Sequence, residues 1–239
     1  MFTFKQFTVH DEQCGMKVGT DGTLLGAWAP VAGVSKGPIL DVGTGSGLIA
    51  LMLAQRCPEA SVLGVDSDEA AALQAADNFA CSPWPNRLQA KHIPLQTLAE
   101  DDTLAHSFRL IVSNPPYFVD SLKNPDAGRR AARHTDSLSF PELLDGCARL
   151  LHPEGTLALI LPAETEQTIL ALAAERGLTP YSTTYVHTRA HKPAKRVMLA
   201  LAAHGTHGTH KTHTLILQDE SGTPRSAAYQ SLCEDFYLN

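Results

Sequence analysis

From residue 38 onward, short apolar runs alternate with segments whose apolar residues recur at helical spacing. PILDVG (38–43), SVLGVD (61–66), RLQAKHI (87–93), FRLIVSN (108–114) and GTLALILP (155–162) read as strands. GLIALMLAQRC (47–57), EAAALQAADNFA (69–80), SFPELLDGCARLL (139–151) and AETEQTILALAAERG (163–177) read as helices. The first of these stops before Pro58, the third opens on Ser139 with Glu142 three places on, and Gly177 closes the last. TTYVHT (183–188) and RVMLALAA (196–203) are two further strand candidates with no helical pattern between them. Near-continuous Val/Ile/Leu strands alternating with helices predict an α/β fold: a seven-stranded, mostly parallel, Rossmann-like sheet covered by helices on both faces. The closely spaced last two strands predict one antiparallel strand at its end.

The chain reads as one domain over 1–239, with an N-terminal appendage (1–37), a core (38–203) and a closing region (204–239). Within the closing region, TLIL (214–217) offers an edge strand and AAYQSLCEDFYL a final helix. At 44% hydrophobic the chain can build a full core, and the formal charge of −6 removes any general attraction to polyanions. A nucleic-acid partner would therefore need basic residues gathered on one surface. The five cysteines, Cys14, Cys57, Cys81, Cys147 and Cys233, are widely spaced without a CxxC pair, which predicts reduced core thiols and a cytoplasmic setting. The N-terminal MFTFKQFTVHDEQ lacks the apolar stretch of a signal peptide, and the apolar run LIALMLA (48–54) is too short to span a bilayer.

Candidate chemistry begins at DVGTGSG, residues 41–47. A strand-to-helix turn exposes free backbone N–H groups, and glycines let a ligand approach them closely. The spacing Gly43, Gly45, Gly47 departs from G-x-G-x-x-G, because Leu48 holds the place of the last glycine. Asp41 ahead of the loop suits a ligand with a cationic end better than a pyrophosphate. Asp66, at the end of the second strand, stands where a carboxylate accepts both hydroxyls of a ribose. An adenosine at one end and an amino acid at the other describe S-adenosylmethionine.

The fourth strand ends in IVSNPPY, residues 111–117. Prolines cannot continue a sheet ladder, and they stiffen the chain beyond the strand end. The side-chain oxygen of Asn114 and the carbonyl of Pro115 form a pair of acceptors, with Pro115 and Pro116 setting their direction. Such a pair can hold both N–H bonds of an exocyclic amine and turn its lone pair toward a methyl donor. Tyr117 offers a face on which a base can stack. A packed, proline-stiffened loop is the plain structural alternative.

These motifs resemble those of class I methyltransferases, whose signature is D-x-G-x-G-x-G followed by an acidic residue ending the next strand. The resemblance implies Asp41 and the loop backbone near the methionine part, Asp66 on the ribose, and His92 near adenine. More specifically, FKQF, MKVGTDG-LLGAW, DVGTGSG, NPPYF, RRAARHT and the K-P-x-KR stretch near 192–196 are similar to the bacterial tRNA1(Val) (adenine-N6)-methyltransferase family. That family modifies the adenosine beside the anticodon. The resemblance implies that Lys17 to Asp21, including Thr20, closes over the cofactor, and that tRNA is the partner, with no membrane and no obligate protein partner.

Two local cationic groups could grip phosphates on an acidic protein: Arg129, Arg130, Arg133 and His134, and then Lys192, Lys195 and Arg196. Charge runs are also commonly solvated faces. A protein-glutamine or ribosomal RNA methyltransferase, or a non-catalytic RNA-binding protein of this fold, remains an alternative reading. His204, His207, His210 and His213 recur every third residue with Gly and Thr between them, which predicts a hairpin loop rather than a metal site. Trp28, Trp84, Phe236 and Tyr237 read as packing residues.

Overall fold

The computed structural model describes residues 1–34, 36–116, 138–203, 205–219 and 225–238. Its main sheet has eight strands: β3 (Ile39–Val42), β4 (Val62–Asp66), β5 (Leu88–His92), β6 (Phe108–Ser113), β7 (Leu151–Pro162), β8 (Leu178–His187), β9 (Ala194–Ala203) and β10 (Lys211–Ile216). The spatial order is β10-β8-β9-β7-β6-β3-β4-β5. Every neighbouring pair is parallel except the two made by β9, which runs antiparallel to both β7 and β8. The seven predicted strands are all present with the single antiparallel one, and the predicted edge strand makes the eighth.

The helices are α1 (Thr20–Trp28), α2 (Leu48–Arg56), α3 (Glu69–Ala80), α4 (Leu95–Ala99), α5 (Phe140–Leu150), α6 (Glu166–Ala174) and α7 (Ala227–Cys233). The expected capping box opens α5. Ser139 Oγ accepts from the Glu142 backbone, and the Glu142 carboxylate accepts from the Ser139 N–H and hydroxyl at 2.8 and 2.6 Å. Those bonds hold the Glu142 carboxyl below the usual carboxylate range.

Strand alternation sends successive residues to opposite faces. Ile39, Leu110 and Val112 join one hydrophobic cluster with α1, α2 and α7, whereas Leu40 and Ile111 join a second with α4, α5 and α6. Both faces of the central parallel strands β3 and β6 are therefore dry, which is why they read as continuous apolar runs.

The N-terminal stretch belongs to the first cluster. A short hairpin of β1 (Phe2–Thr3) and β2 (Thr8–Val9) precedes α1. Phe4 and Phe7 stack at 4.8 Å between ring centroids, Phe4 stacks on Tyr237 at 6.0 Å, and Phe7 meets Trp84 edge-on. The Lys5 N–H donates to the Phe236 carbonyl at 2.8 Å, so the two ends of the chain meet. Trp28, Trp84, Phe236 and Tyr237 all pack in or against this cluster, as expected.

Two expectations need correction. The histidine tract does not turn a hairpin between adjacent strands, because β8 lies between β9 and β10, and residues 205–210 carry the chain across it. His207 stacks on Tyr181 at 3.8 Å, His210 Nε2 lies 2.9 Å from Thr183 Oγ1, and His213 sits within β10, while His204 lies outside the described residues. Strand β8 also begins at Leu178, five residues before the predicted start; a register shift between Pro180 and Ser182 accommodates the proline.

Candidate active site

A cleft of about 790 Å³ opens at the carboxyl ends of β3, β4 and β6. Its walls come from the glycine loop, the β4 tip, the segment 93–96, the β6 tip and the strap 14–22. Open α/β sheets bind ligands at this edge, because the strand ends and helix N-termini leave backbone groups free there.

The glycine loop is held from three sides. The Gly43 and Thr44 N–H groups both donate to the Val65 carbonyl, at 2.9 and 3.0 Å. Gly45 N–H donates to Asp66 Oδ2 at 2.9 Å, and Asp66 Oδ1 accepts from Asp68 N–H at 3.0 Å. Gly43 and Gly45 adopt φ of 69° and 54°, and a Cβ on either would point into open space. That space, cradled by the loop and beside Asp66, is what a ligand would occupy. Gly47 serves a different end. It is not part of the cleft wall, and its φ of 78° brings the chain against Phe79, whose ring would lie 2.4 Å from an added Cβ.

Asp41 is fully buried and stands behind the loop rather than on the cleft surface. Its Oδ2 accepts from Thr44 Oγ1 at 2.7 Å and from Ala50 N–H at 3.2 Å, while Oδ1 is buried with no partner. Burial pushes its carboxyl up to about 7, against the pull of those two hydrogen bonds. An orphaned carboxylate oxygen behind a cradle of open glycines suits a zwitterionic ligand with a cationic end.

At the tip of β6, Ser113 Oγ donates to the Val42 carbonyl at 2.9 Å and locks this strand end to that of β3. Asn114, Pro115 and Pro116 come next in the chain and line the same cleft as the glycine loop. The Asn114 amide is turned into the cleft, where Nδ2 lies 3.6 Å from the Met16 sulfur. Tyr117, Arg129, Arg130, Arg133 and His134 lie outside the described residues.

The strap brings Thr20 and Asp21 to the cleft wall. Its loop is closed by Asp11, whose Oδ2 accepts from Val18 N–H at 2.9 Å, and Lys17 Nζ donates to the Asp11 and Glu12 carbonyls. The Val18 bond is the main reason that the Asp11 carboxyl is held below its ordinary range. Asn78 joins the segment that leads into the strap to the glycine loop: its amide donates to the His10 and Ser46 carbonyls at 2.7 and 2.8 Å and its oxygen accepts from His10 N–H. Losing a buried hub of this kind costs on the order of 1–3 kcal/mol. Sequence reasoning missed Asn78, which looked like an ordinary helix residue.

His92 is not on the cleft wall. Its Nε2 lies 3.0 Å from the Ser67 carbonyl, and the neighbouring Ile93, Pro94, Leu95 and Gln96 form the wall instead. Cys14 also lines the cleft, but burial, aided by the charge of Asp66, pushes its thiol up to about 11. It stays protonated near neutrality and offers no thiolate nucleophile. Of the residues expected to face RNA, Lys192 is exposed on the β8–β9 turn and Lys195 at the start of β9, whereas Arg196 Nε donates to Asp21 Oδ2 at 2.8 Å. Among the described residues no group of three or more His, Cys, Asp or Glu side chains could hold a metal ion.

A parallel sheet with one antiparallel strand, a glycine loop facing an acidic strand end, and an amide at the tip of the strand beside it define a class I methyltransferase. The sequence model of the methyltransferase small domain matches residues 23–171. The chain is 47% identical to the tRNA1(Val) (adenine(37)-N6)-methyltransferase of Phocaeicola vulgatus over 100% of its own length and 97% of that protein. It is 45% identical to the protein of the same name from Aeromonas hydrophila, over 99% and 97%. The chain belongs to the tRNA1(Val) (adenine(37)-N6)-methyltransferase family. Solved structures share the fold at lower identity. A predicted O-methyltransferase from Agrobacterium tumefaciens superposes with a TM-score of 0.68 at 19% identity, covering 90% of this chain and 96% of that one. A geranyl diphosphate methyltransferase in complex with sinefungin gives 0.55 at 12% identity, covering 76% and 77%.

Proposed function

We propose that this chain transfers a methyl group from S-adenosylmethionine to N6 of adenosine 37 in tRNA1(Val), the reaction for which its relatives are named. The observation that carries the reading is the placement of the Asn114 amide in the same cleft as the glycine loop and Asp66. The described residues act as one domain, with the N-terminal strap as part of the site.

The sulfonium of S-adenosylmethionine supplies an electrophilic methyl group when bound. Asp66 would take the ribose, the open backbone at Gly43 and Gly45 would admit the amino-acid end, and Ile93 to Gln96 would flank the adenine. Thr20 and Asp21 close the cleft from the strap side.

The chain's own contribution to the chemistry is orientation. The target nitrogen has its lone pair delocalised into the ring. Asn114 Oδ1 and the Pro115 carbonyl each accept one of its N–H bonds, which aims the lone pair out of the ring plane. Because Ser113 is pinned to β3 and the prolines stiffen the tip, the backbone that carries these acceptors is held in place before the base arrives. No general base is required before transfer, since the proton can leave afterward to water. An anticodon-loop adenosine is partly unstacked, so flipping it into the cleft costs little. Tyr117 is assigned to stacking on it, and Arg129, Arg130, Arg133 and His134 to phosphates, on the sequence pattern alone.

Lys192, on the turn before β9, and Lys195, at the start of β9, stand at the same sheet edge as Asn114, because β9 runs antiparallel and begins where its neighbours end. Residues 182–203 contain no Asp or Glu, so this turn is a local cationic surface on an acidic protein. The test is labelled methyl transfer to unmodified tRNA, followed by mass spectrometry of the modified nucleotide. N6-methyladenosine at position 37 is the expected product. Label appearing in protein, or at another base, would overturn the assignment.

A further inference from the structure

The residue most at odds with its sequence reading is Arg196. It lies in a cationic stretch, yet its guanidinium is turned inward. Nε donates to Asp21 Oδ2 at 2.8 Å, across 175 positions of sequence, and Nη1 donates to the Lys195 carbonyl at 3.0 Å. Both partners of the ion pair are partly shielded, at 30% and 26% side-chain exposure. Arg196 sits opposite Pro162 of β7 and Val186 of β8, so three strands fix its position. Asp21 occupies the first turn of α1 and lines the cleft between Thr20 and Gly22. A carboxylate there is already favoured by the positive end of the helix, and the arginine adds a directed grip.

We infer that Arg196 is a positioning residue that latches the cofactor-closing strap to the strand bearing the RNA-facing turn, so that cofactor and tRNA binding are coupled through the Asp21–Arg196 pair. Lys195, whose carbonyl Arg196 holds, is one residue away along β9, and Lys192 is three residues further toward the turn. A phosphate drawn to those lysines acts on the same short segment that fixes Asp21. The inference rests on the reading of the cleft as the S-adenosylmethionine site. By linkage, whatever factor tRNA lends to cofactor affinity, the cofactor lends to tRNA affinity.

The experiment uses S-adenosylhomocysteine as probe, so that no turnover occurs, with the full chain and unmodified tRNA. Calorimetry gives its Kd with and without tRNA for wild type, Arg196→Ala, Arg196→Lys, Asp21→Asn and the double variant. A filter assay gives the tRNA Kd and its salt slope without cofactor. Wild type must bind the probe; if it does not, the cofactor reading itself fails, and the latch is not what was refuted. With wild type binding, Arg196→Ala is expected to weaken the probe about fivefold or more and to erase its enhancement by tRNA. Cofactor-free tRNA affinity and salt slope stay at the wild-type value, Arg196→Lys recovers part of the loss, and the double variant is no weaker than the worse single one. Lys192→Ala shows the opposite pattern, with a salt slope reduced by about one. A reduced salt slope in Arg196→Ala with unchanged probe affinity would make Arg196 a phosphate contact and overturn the latch. So would additive losses in the double variant. Should Arg196→Ala fail to fold, Arg196→Lys and Asp21→Asn carry the same comparison.

Discussion

Replacing Asp41 with asparagine isolates the cost of a buried carboxylate behind the glycine loop. The side chain is fully buried, two donors satisfy one oxygen, and the other has no partner. Burial moves its carboxyl from the ordinary 3.8 to about 7. Proton counting gives the sign. Below pH 3.8 the folded and unfolded chains both hold the proton. Between 3.8 and about 7 only the folded chain does, so stability falls as pH rises through that window. At about 1.4 kcal/mol per pH unit, the full span amounts to roughly 4 kcal/mol. Asn is nearly isosteric and does not titrate, so Asp41→Asn removes this slope. Urea unfolding of both proteins at half-unit intervals from pH 4 to 8 gives the difference in ΔG. The wild-type protein should lose ground to the variant steadily between pH 4 and 7 and then level off. A difference that is flat across this range would refute the claim that the carboxyl titrates high. The variant also removes the negative charge behind the cradle, so its affinity for S-adenosylhomocysteine at pH 8 should fall, because the through-space attraction for the ligand's cationic end is lost.

Asn114→Ala should lower single-turnover methyl transfer by about 10²–10³ while leaving the Kd for S-adenosylhomocysteine within about twofold, the signature of an interaction used in the transition state. Full turnover in this variant would remove Asn114 from the chemistry. Gly47→Ala combines a left-handed backbone at φ 78° with a contact 2.4 Å from the Phe79 ring. Strain of about 1–2 kcal/mol and overpacking of about 1–3 kcal/mol give an expected loss of about 2–5 kcal/mol in urea unfolding, and a loss below about 1 kcal/mol would contradict the geometry. Ser139→Ala removes the capping box of α5 and should cost about 1 kcal/mol, read as a shift of the urea midpoint at unchanged m-value.

The hydrophobic pattern by itself determined the strands β3 to β6, residues 155–162 of β7, β9, and the helices α2, α3 and α5, because each is bounded by local chemistry. Runs buried on both faces must be apolar throughout, Ser139 and Glu142 cap one another within a single turn, and glycines mark a backbone that side chains would block. DVGTGSG, Asp66 and Asn-Pro-Pro were legible for the same reason: each is a short local signal at a strand end. Helix α1 was not legible. Its residues Gly22 to Ala27 are all buried, so TDGTLLGAW shows no amphipathic stripe and has two glycines besides. Tertiary structure alone decided that β8 separates β9 from β10, since strand adjacency depends on which edges remain open after the sheet assembles. It alone placed Asn78 between His10 and the glycine loop, left His92 off the cleft wall, and turned Arg196 from the solvent toward Asp21. Those are contacts between residues dozens to nearly two hundred positions apart, and a side chain's type does not disclose which distant group packing will bring within hydrogen-bonding distance.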